Sequence, residues 1–318
     1  MLSVGHSTTV EHPNLKKGGV YRGGSPPSRR RATKSLLAVG VDAGATRVRV
    51  EARHGPRREH YTELPAVDVS RLPGLLRGVW RTWRLSPSRI GALVVASRGV
   101  WTAAERKRLE RGLRPIARRV RAMSDAQAAF EGALGGGAGL LVLAGTGSIV
   151  IGRTQSGAWG RAGGFGPLLG DEGSAFWIGR EWLRATTAGE DFAPVRAIAR
   201  GKAPITRIAA FARRVLANAR AGDRVAARIA REAQRHLARL ARSAARDLRL
   251  RAPIRMSWAG SLLVKDSWFR AGLMREVARA HGQAQWITPV EPPVAAAARL
   301  AQALLTDGAS RRRSSTRT

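Results

Sequence analysis

The feature that most constrains the fold of this chain is a short apolar run, 140–144, which is bounded by glycines on both sides. The run Leu-Leu-Val-Leu-Ala is typical of a buried strand, and it is followed by a turn made of Gly145, Thr146, Gly147 and Ser148. Glycines let a backbone approach an anion closely, and the two hydroxyls add donors, so this turn can bind a phosphate group. An ordinary tight turn after a strand uses the same residue types, which leaves both interpretations open.

Two further segments place an aspartate at the end of a predicted strand. The segment 37–52 reads as a strand, a tight turn and an alternating strand, which predicts a hairpin with Asp42 at its tip. Such an aspartate can form the turn, or it can hold Mg²⁺ beside a nucleotide, since Mg²⁺ prefers one or two carboxylates plus phosphate oxygens. Asp125 precedes an alanine-rich helix predicted over 126–134, and is either the N-cap of that helix or a catalytic base at the sheet edge.

A glycine-rich segment, 161–174, leads into a helix predicted over 174–186. Asp171 fits an N-cap of that helix, where a carboxylate stabilises the first amides. A carboxylate on such a loop can equally accept hydrogen bonds from sugar hydroxyls, and Phe165 can offer an apolar face to a sugar ring. The segment by itself leaves the choice open.

The remaining pattern predicts alternating helices and strands. Helical periodicity over 205–251 is interrupted at 221–223, which predicts two helices with arginines on their solvent side. A helix is predicted to begin at the cap Thr102, because a glutamate follows three residues later. The other predicted strands are 90–96, 254–259 and 286–289, and the other predicted helices are 67–84, 102–113 and 294–305.

The composition excludes several kinds of chemistry. The 318 residues include no cysteine, which removes disulfides, thiolate metal sites, iron–sulfur clusters and cysteine nucleophiles. The net charge of +34 and a pI near 12.0 favour polyanion binding in general. Arginine supplies nearly all of this charge and is spread along the chain, so we expect non-specific electrostatics and no dedicated nucleic-acid site.

The sequence gives no sign of membrane insertion or export. No apolar run approaches the roughly 18 residues of a membrane helix, and the first residues lack the basic segment and apolar core of a secretory signal. We therefore expect a cytoplasmic protein without a membrane partner. The polar, basic ends, 1–35 and 307–318, are expected to be disordered.

Taken in order, these motifs resemble the N-acetylglucosamine kinase and BadF-type ATPase family, within the superfamily of actin, hexokinase and heat-shock chaperone ATPases. The resemblance spans roughly 36–305, and its most specific part is the glycine-rich run 163–174. It implies an α/β fold of two ribonuclease-H-like lobes with a nucleotide cleft between them. The first lobe would comprise 36–123 plus 290–306, and the second 124–289.

The resemblance also implies roles for individual residues, with ATP and Mg²⁺ as cofactors. The acceptor would be an amino sugar such as N-acetylglucosamine or glucosamine, and the protein would be a homodimer. Asp125 would take the proton of the attacking hydroxyl, and Asp42 would lie near the Mg²⁺. The residues implied to bind the nucleotide are Asp42, Gly44, Thr46, Gly145, Thr146, Gly147, Ser148, Gly260 and Ser261. Those implied to contact the sugar are Ser97, Phe165 and Asp171.

Departures from the family pattern leave the sugar open. The first loop has less glycine, Phe165 stands where family members commonly have tryptophan, and no substrate-binding asparagine is evident near 67–69. Arg98 places a bulky cation near the sugar. One alternative is a BadF-type ATPase that energises an electron-transfer enzyme, which the lack of cysteine disfavours. The other is a non-catalytic regulator that binds sugar or ATP, which the retention of Asp125 disfavours.

Overall fold

The computed structural model describes residues 35–187, 192–281 and 283–314. Of the ends predicted to be disordered, 1–34 and 315–318 lie outside the described residues. The strands are β1 (Leu37–Ala43), β2 (Arg47–His54), β3 (Arg57–Pro65), β4 (Ile90–Ser97), β5 (Val120–Ser124), β6 (Gly139–Ala144), β7 (Ser148–Arg153), β8 (Trp159–Gly163), β9 (Ile254–Ala259) and β10 (Ala284–Trp286). The α-helices are α1 (Leu72–Thr82), α2 (Ala103–Leu113), α3 (Asp125–Leu134), α4 (Ala175–Thr186), α5 (Ala193–Arg200), α6 (Pro204–Arg220), α7 (Arg224–Asp247), α8 (Ser261–Lys265), α9 (Ser267–His281) and α10 (Pro293–Ser314).

The strands form two five-stranded mixed sheets with the same internal order. The first sheet has the order β3-β2-β1-β4-β5, and the second has the order β10-β9-β6-β7-β8. In the first sheet β1, β4 and β5 are parallel, while β2 and β3 form an antiparallel meander with β1. In the second sheet β6, β9 and β10 are parallel, while β7 and β8 form the meander. The prediction of two similar α/β lobes is confirmed.

Helix α3 lies between the two sheets. The first sheet packs against α1 and α2 on one face, and against α10 and part of α3 on the other. The second sheet packs against α4, α6, α7 and α9 on one face and against α3 on the other. The small side chains of α3 suit this position, since a helix covered on both sides needs close approach from both sheets.

The contact between β1 and α10 depends on a glycine. A Cβ atom placed on Gly40 would overlap the main-chain nitrogen of Ala298 and lie 2.6 Å from the carbonyl oxygen of Val294. Only glycine permits this approach of a helix backbone to a strand. The contact fixes the last helix of the chain on the first sheet.

Several predicted elements are confirmed, and others need correction. Thr102 forms a capping box with Glu105, and the break between α6 and α7 falls at 221–223, with Asp223 as the N-cap of α7. Strand β10 ends at Trp286, so the strand predicted over 286–289 was placed too late. Helix α10 continues to Ser314 and includes residues that were assigned to a disordered tail. Among the described residues, no helix is both long and apolar enough to cross a bilayer.

Candidate active site

The strand ends of the first sheet bring predicted site residues to one edge. Because β1, β4 and β5 are parallel, the register pairs Ala43 with Ser97, and Ser97 with Ser124. Asp42 precedes Ala43 and Asp125 follows Ser124. Two carboxylates therefore lie at neighbouring strand ends, and the negative charge of Asp125 helps to raise the pKa of Asp42.

Asp42 is a buried carboxylate whose negative charge is only partly compensated by a neighbouring cation. It is 6% exposed, and its Oδ2 lies 3.4 Å from Nη1 of Arg49 on β2. Burial raises its pKa to about 6 against the attraction of Arg49, which shows that one long ion pair does not offset the lost hydration. A divalent cation would supply the missing charge, so Asp42 fits the predicted metal position. The described residues contain no cluster of three or more carboxylate, histidine or cysteine side chains, and phosphate oxygens would have to complete the coordination.

Arg49 is a candidate site residue that the sequence analysis missed. The β1–β2 register places it directly opposite Asp42. The signal was present in the hairpin, because a turn at 44–46 pairs residue 43 with 48 and residue 42 with 49.

Asp125 is the first residue of α3, and it is not the N-cap. Ser124 holds that position: its Oγ accepts a hydrogen bond from the amide of Gln127 at 3.1 Å, and Gln127 Oε1 accepts one from the amide of Ser124 at 3.1 Å. The N-cap interpretation of Asp125 was therefore wrong. Its Oδ1 accepts a hydrogen bond from the amide of Ala126 at 2.8 Å, and burial raises its pKa while the charge of Arg98 lowers it. With the cap supplied by Ser124, the carboxylate of Asp125 is available for chemistry.

The other predicted residues of the first lobe occupy the surrounding loops. Gly44 and Thr46 lie in the β1–β2 turn, where the amide of Gly44 donates to the carbonyl of Arg47 at 3.0 Å. Ser97 is 3% exposed, and its hydroxyl donates to the carbonyl of Arg98 at 3.2 Å.

In the second lobe, residues 145–148 connect β6 and β7 and are called the glycine turn here. The first amides of α4 hold this turn: Ala175 donates to the carbonyl of Gly145 at 2.9 Å, and Phe176 donates to the carbonyl of Thr146 at 3.2 Å. Within the part of the chain that the structure describes, the amides of Thr146 and Gly147 donate to no partner. Two unpaired amides beside the N-terminus of a helix form an arrangement that binds anions.

Gly260 and Ser261 lie against the start of the glycine turn. Gly260 has φ of 87°, and a Cβ atom there would overlap the main chain of Ala144, so glycine is required on both counts. Ser261 begins α8 and lines a cavity of about 350 Å³ between α6 and α8. The polar side chains that line this cavity are Arg213, Arg220, Ser261, Lys265 and Asp266.

The glycine-rich segment also differs from its predicted arrangement. The N-cap of α4 is Ser174, whose Oγ accepts a hydrogen bond from the amide of Trp177 at 3.1 Å, so the cap interpretation of Asp171 was wrong. Asp171 instead has φ of 62°, is 7% exposed, and accepts a hydrogen bond from the amide of Ser148 at 3.1 Å through Oδ1. Phe165 is 64% exposed at the surface of the same loop.

Helix α3 brings the edges of the two sheets together. Ala126, the neighbour of Asp125, belongs to one apolar cluster with Ile149 and Ala259. Ile149 adjoins the glycine turn, and Ala259 adjoins the α6–α8 cavity through Gly260. One apolar cluster therefore extends from the residue after Asp125 to residues that adjoin the glycine turn and the cavity.

Comparison with known proteins gives one family match and several partial ones. The sequence model of the BadF/BadG/BcrA/BcrD ATPase family matches residues 39–298. An N-acetylmuramic acid/N-acetylglucosamine kinase of Clostridium acetobutylicum is 39% identical over 69 residues, 22% of each chain. An N-acetyl-D-glucosamine kinase of Dictyostelium discoideum is 45% identical over 53 residues, 17% of each chain. The matches thus span about a fifth of the length of these curated relatives.

A solved structure shows the same fold. It is a provisionally named N-acetylglucosamine kinase from Chromobacterium violaceum, with a TM-score of 0.63 and 21% identity. The similarity covers 84% of this chain and 99% of that one. The two-lobed architecture is therefore shared over nearly the whole of that protein.

Proposed function

Because this chain belongs to the BadF/BadG/BcrA/BcrD ATPase family, we propose that it is an ATP-dependent kinase of N-acetylglucosamine, glucosamine or a related amino sugar. The observation that carries the proposal is the position of Asp125. Its partly buried carboxylate stands at the N-terminus of α3, near Asp42, and the next residue, Ala126, shares an apolar cluster with Ile149, which adjoins the glycine turn. The partial matches to two kinases of amino sugars support the choice of acceptor.

The nucleotide would lie along the second lobe. The unpaired amides of Thr146 and Gly147, at the N-terminus of α4, would bind the β- and γ-phosphates. The α6–α8 cavity beside Ser261 has room for adenosine and carries polar side chains that can contact it. The turn of the first lobe, with Gly44 and Thr46, would approach the phosphates from the opposite side.

Asp42 would hold Mg²⁺ on the first lobe, either directly or through water. Mg²⁺ would neutralise charge on the phosphate oxygens. The partly compensated charge of this carboxylate supports the assignment.

Asp125 would act as the general base. As the bond between the sugar oxygen and the γ-phosphorus forms, the bond from that phosphorus to the β–γ bridging oxygen breaks, and ADP leaves. The carboxylate of Asp125 accepts the proton of the attacking hydroxyl. Ser97, Phe165 and Asp171 would hold the sugar in line. Phosphoryl transfer requires mainly in-line positioning of the reactants and neutralisation of the charge on the phosphate oxygens. The two turns, the metal and the carboxylate of Asp125 would be sufficient for both.

Identification of the product tests this proposal. The purified protein is incubated with ATP, Mg²⁺ and N-acetylglucosamine or glucosamine, and the sugar fraction is analysed by mass spectrometry and by phosphorus–proton NMR coupling. The proposal predicts a sugar monophosphate, whose NMR coupling identifies the phosphorylated hydroxyl. Formation of ADP and free phosphate with unmodified sugar would contradict it.

A further inference from the structure

The carboxylate of Asp171 is bound to the glycine turn. Its Oδ1 accepts the hydrogen bond from the amide of Ser148. A Cβ atom on Gly147 would lie 2.8 Å from both carboxylate oxygens, so the carboxylate packs directly against the backbone of the turn. Asp171 is nevertheless 23 residues away in sequence from Ser148, on the loop that precedes α4.

Further hydrogen bonds join this loop, and the helix α4 that follows it, to the turn. The hydroxyl of Ser148 donates to the carbonyl of Glu172 at 2.8 Å. The amide of Gly164 donates to the carbonyl of Ser148 at 3.1 Å, and the amide of Ala175 donates to the carbonyl of Gly145 at 2.9 Å. The loop and the turn therefore form one hydrogen-bonded unit. Within it, the side chain of Asp171 accepts the hydrogen bond from the amide of Ser148.

We propose that Asp171 is a positioning residue that sets the conformation of the glycine turn for the phosphates of ATP, and couples this turn to the loop that receives the sugar. Within the described residues, no hydrogen bond reaches its second oxygen, Oδ2, which leaves that atom for an acceptor hydroxyl. One carboxylate then contacts the glycine turn through Oδ1 and the sugar through Oδ2. This inference rests on the proposed function, and it assigns to Asp171 a role in nucleotide binding that does not require sugar.

The backbone of Asp171 determines which variants are informative. Its φ of 62° suits glycine, asparagine and aspartate, whereas alanine would add backbone strain. Asp171→Gly removes the carboxylate without that strain. Asp171→Asn keeps an oxygen that can accept the hydrogen bond from Ser148. Asp247→Asn removes an exposed carboxylate at the end of α7, outside this unit, and serves as the control.

The experiment measures the dissociation constant of ADP with Mg²⁺ in the absence of sugar, by titration calorimetry. We expect Asp171→Gly to weaken ADP binding by about tenfold, the scale of one lost hydrogen bond to a charged group. Asp171→Asn should weaken ADP binding by less than about threefold, because its side-chain oxygen still accepts the hydrogen bond from Ser148, although a neutral acceptor forms a weaker bond than a carboxylate. Asp247→Asn should bind ADP as the wild type does. Unchanged ADP binding in Asp171→Gly, with a raised KM for sugar alone, would overturn the inference.

A second measurement covers the case in which Asp171→Gly does not fold. Hydrogen exchange of the Ser148 amide is compared between the wild type and Asp171→Asn, where faster exchange in the variant is expected because the acceptor is weaker. Equal exchange in both proteins would overturn the inference. A wild type that binds ADP but phosphorylates no sugar would contradict the proposed function and leave the positioning role standing.

Discussion

At the scale of single residues, the proposed chemistry depends on Asp125 and on what surrounds it. Its carboxylate is freed from helix capping by Ser124, is partly desolvated, and lies near the cation of Arg98. Each of these conditions has a measurable consequence for turnover.

Asp125→Asn should reduce turnover by at least about 100-fold, the lower range of what a positioned base contributes. The asparagine keeps an oxygen for the hydrogen bond from Ala126, so folding and ATP binding should persist. Steady-state kinetics and nucleotide titration measure the two quantities separately. Asp247→Asn, at an exposed position on α7, is the control and should leave both unchanged. Wild-type turnover in Asp125→Asn would exclude the base role.

The dependence of kcat/KM on pH reports this carboxylate together with that of Asp42, whose pKa burial raises to about 6. Burial raises the pKa of Asp125 above the ordinary 3.8, and a base works only when deprotonated. On acidification, activity should therefore fall at a pH above the pKa of an ordinary aspartate. Arg98→Gln removes a charge that lowers this pKa, so its acidic limb should move to still higher pH. An acidic limb that Arg98→Gln moves to lower pH would contradict the assignment.

The sequence predicted the type and place of these residues better than their local contacts. The motifs identified Asp125 and Asp171 as candidates, but one of the two interpretations considered for each, the N-cap role, belongs to Ser124 and Ser174. A cap is defined by backbone angles at one position, and neighbouring residues of suitable type compete for it. The bond from Ser148 to Asp171 depends on a tertiary contact and has no signal in sequence spacing.

At the scale of secondary structure elements, α10 is held on the first sheet by close backbone approach. Gly40→Ala should destabilise the protein by about 2–3 kcal/mol, because its methyl group would overlap the backbone of Ala298. Chemical denaturation measures this change. Gly78→Ala is the matched control: nothing lies within 4 Å of its Cβ position in α1, so a gain of about 0.5–1 kcal/mol is expected. Equal effects of the two substitutions would contradict the packing described.

Elements with a clear apolar period were predictable, and an edge strand was not. The break at 221–223 and the buried strand β9 follow from local pattern. Strand β3 lies at the edge of its sheet and carries charged and polar residues over most of its length, Arg57–Pro65, so its sequence lacks an apolar face. Its place is determined by pairing with β2, which is a tertiary contact.

At the scale of the whole molecule, a partly buried ion-pair cluster connects α3 to the second sheet and to α10. Glu131 on α3 is 5% exposed, and its Oε1 lies 2.5 Å from Nη1 of Arg153 on β7. Arg299 on α10 donates to the carbonyl of Glu131 at 3.2 Å and pairs with Glu291 at 2.7 Å. The cluster thus connects the second sheet, the central helix and the helix that covers the first sheet.

Glu131→Ala should destabilise the protein by about 1.5–3 kcal/mol, because the partly buried Arg153 loses its carboxylate partner and keeps only its hydrogen bonds to main-chain carbonyls. Replacing both residues, Glu131→Leu together with Arg153→Leu, should destabilise the protein less than Glu131→Ala does. Glu232→Ala removes an exposed partner of Arg228 on α7 and should cost less than about 1 kcal/mol. Denaturation midpoints compare the variants, and a similar loss for Glu131→Ala and Glu232→Ala would show that the cluster is not a structural link.

The two-lobed fold was predicted from the order of the motifs, whereas the repeated strand order of its sheets was not. That repeat is defined by hydrogen bonds between strands far apart in sequence, such as β6 with β9, which no local residue pattern specifies. The boundary between the lobes, at 123/124 and at 289/290, stays a prediction.

The central claim is that this chain transfers phosphate to an amino sugar, and ADP release tests it most directly. The purified protein with ATP and Mg²⁺ is assayed with N-acetylglucosamine, glucosamine, N-acetylmuramate, glucose or no sugar, with Asp125→Asn as the inactive control. We predict strong stimulation by at least one amino sugar, weak release without sugar, and loss of the stimulated rate in the variant. ADP release that is equal with and without every sugar, while ATP still binds, would contradict the claim and favour an energising ATPase or a regulator.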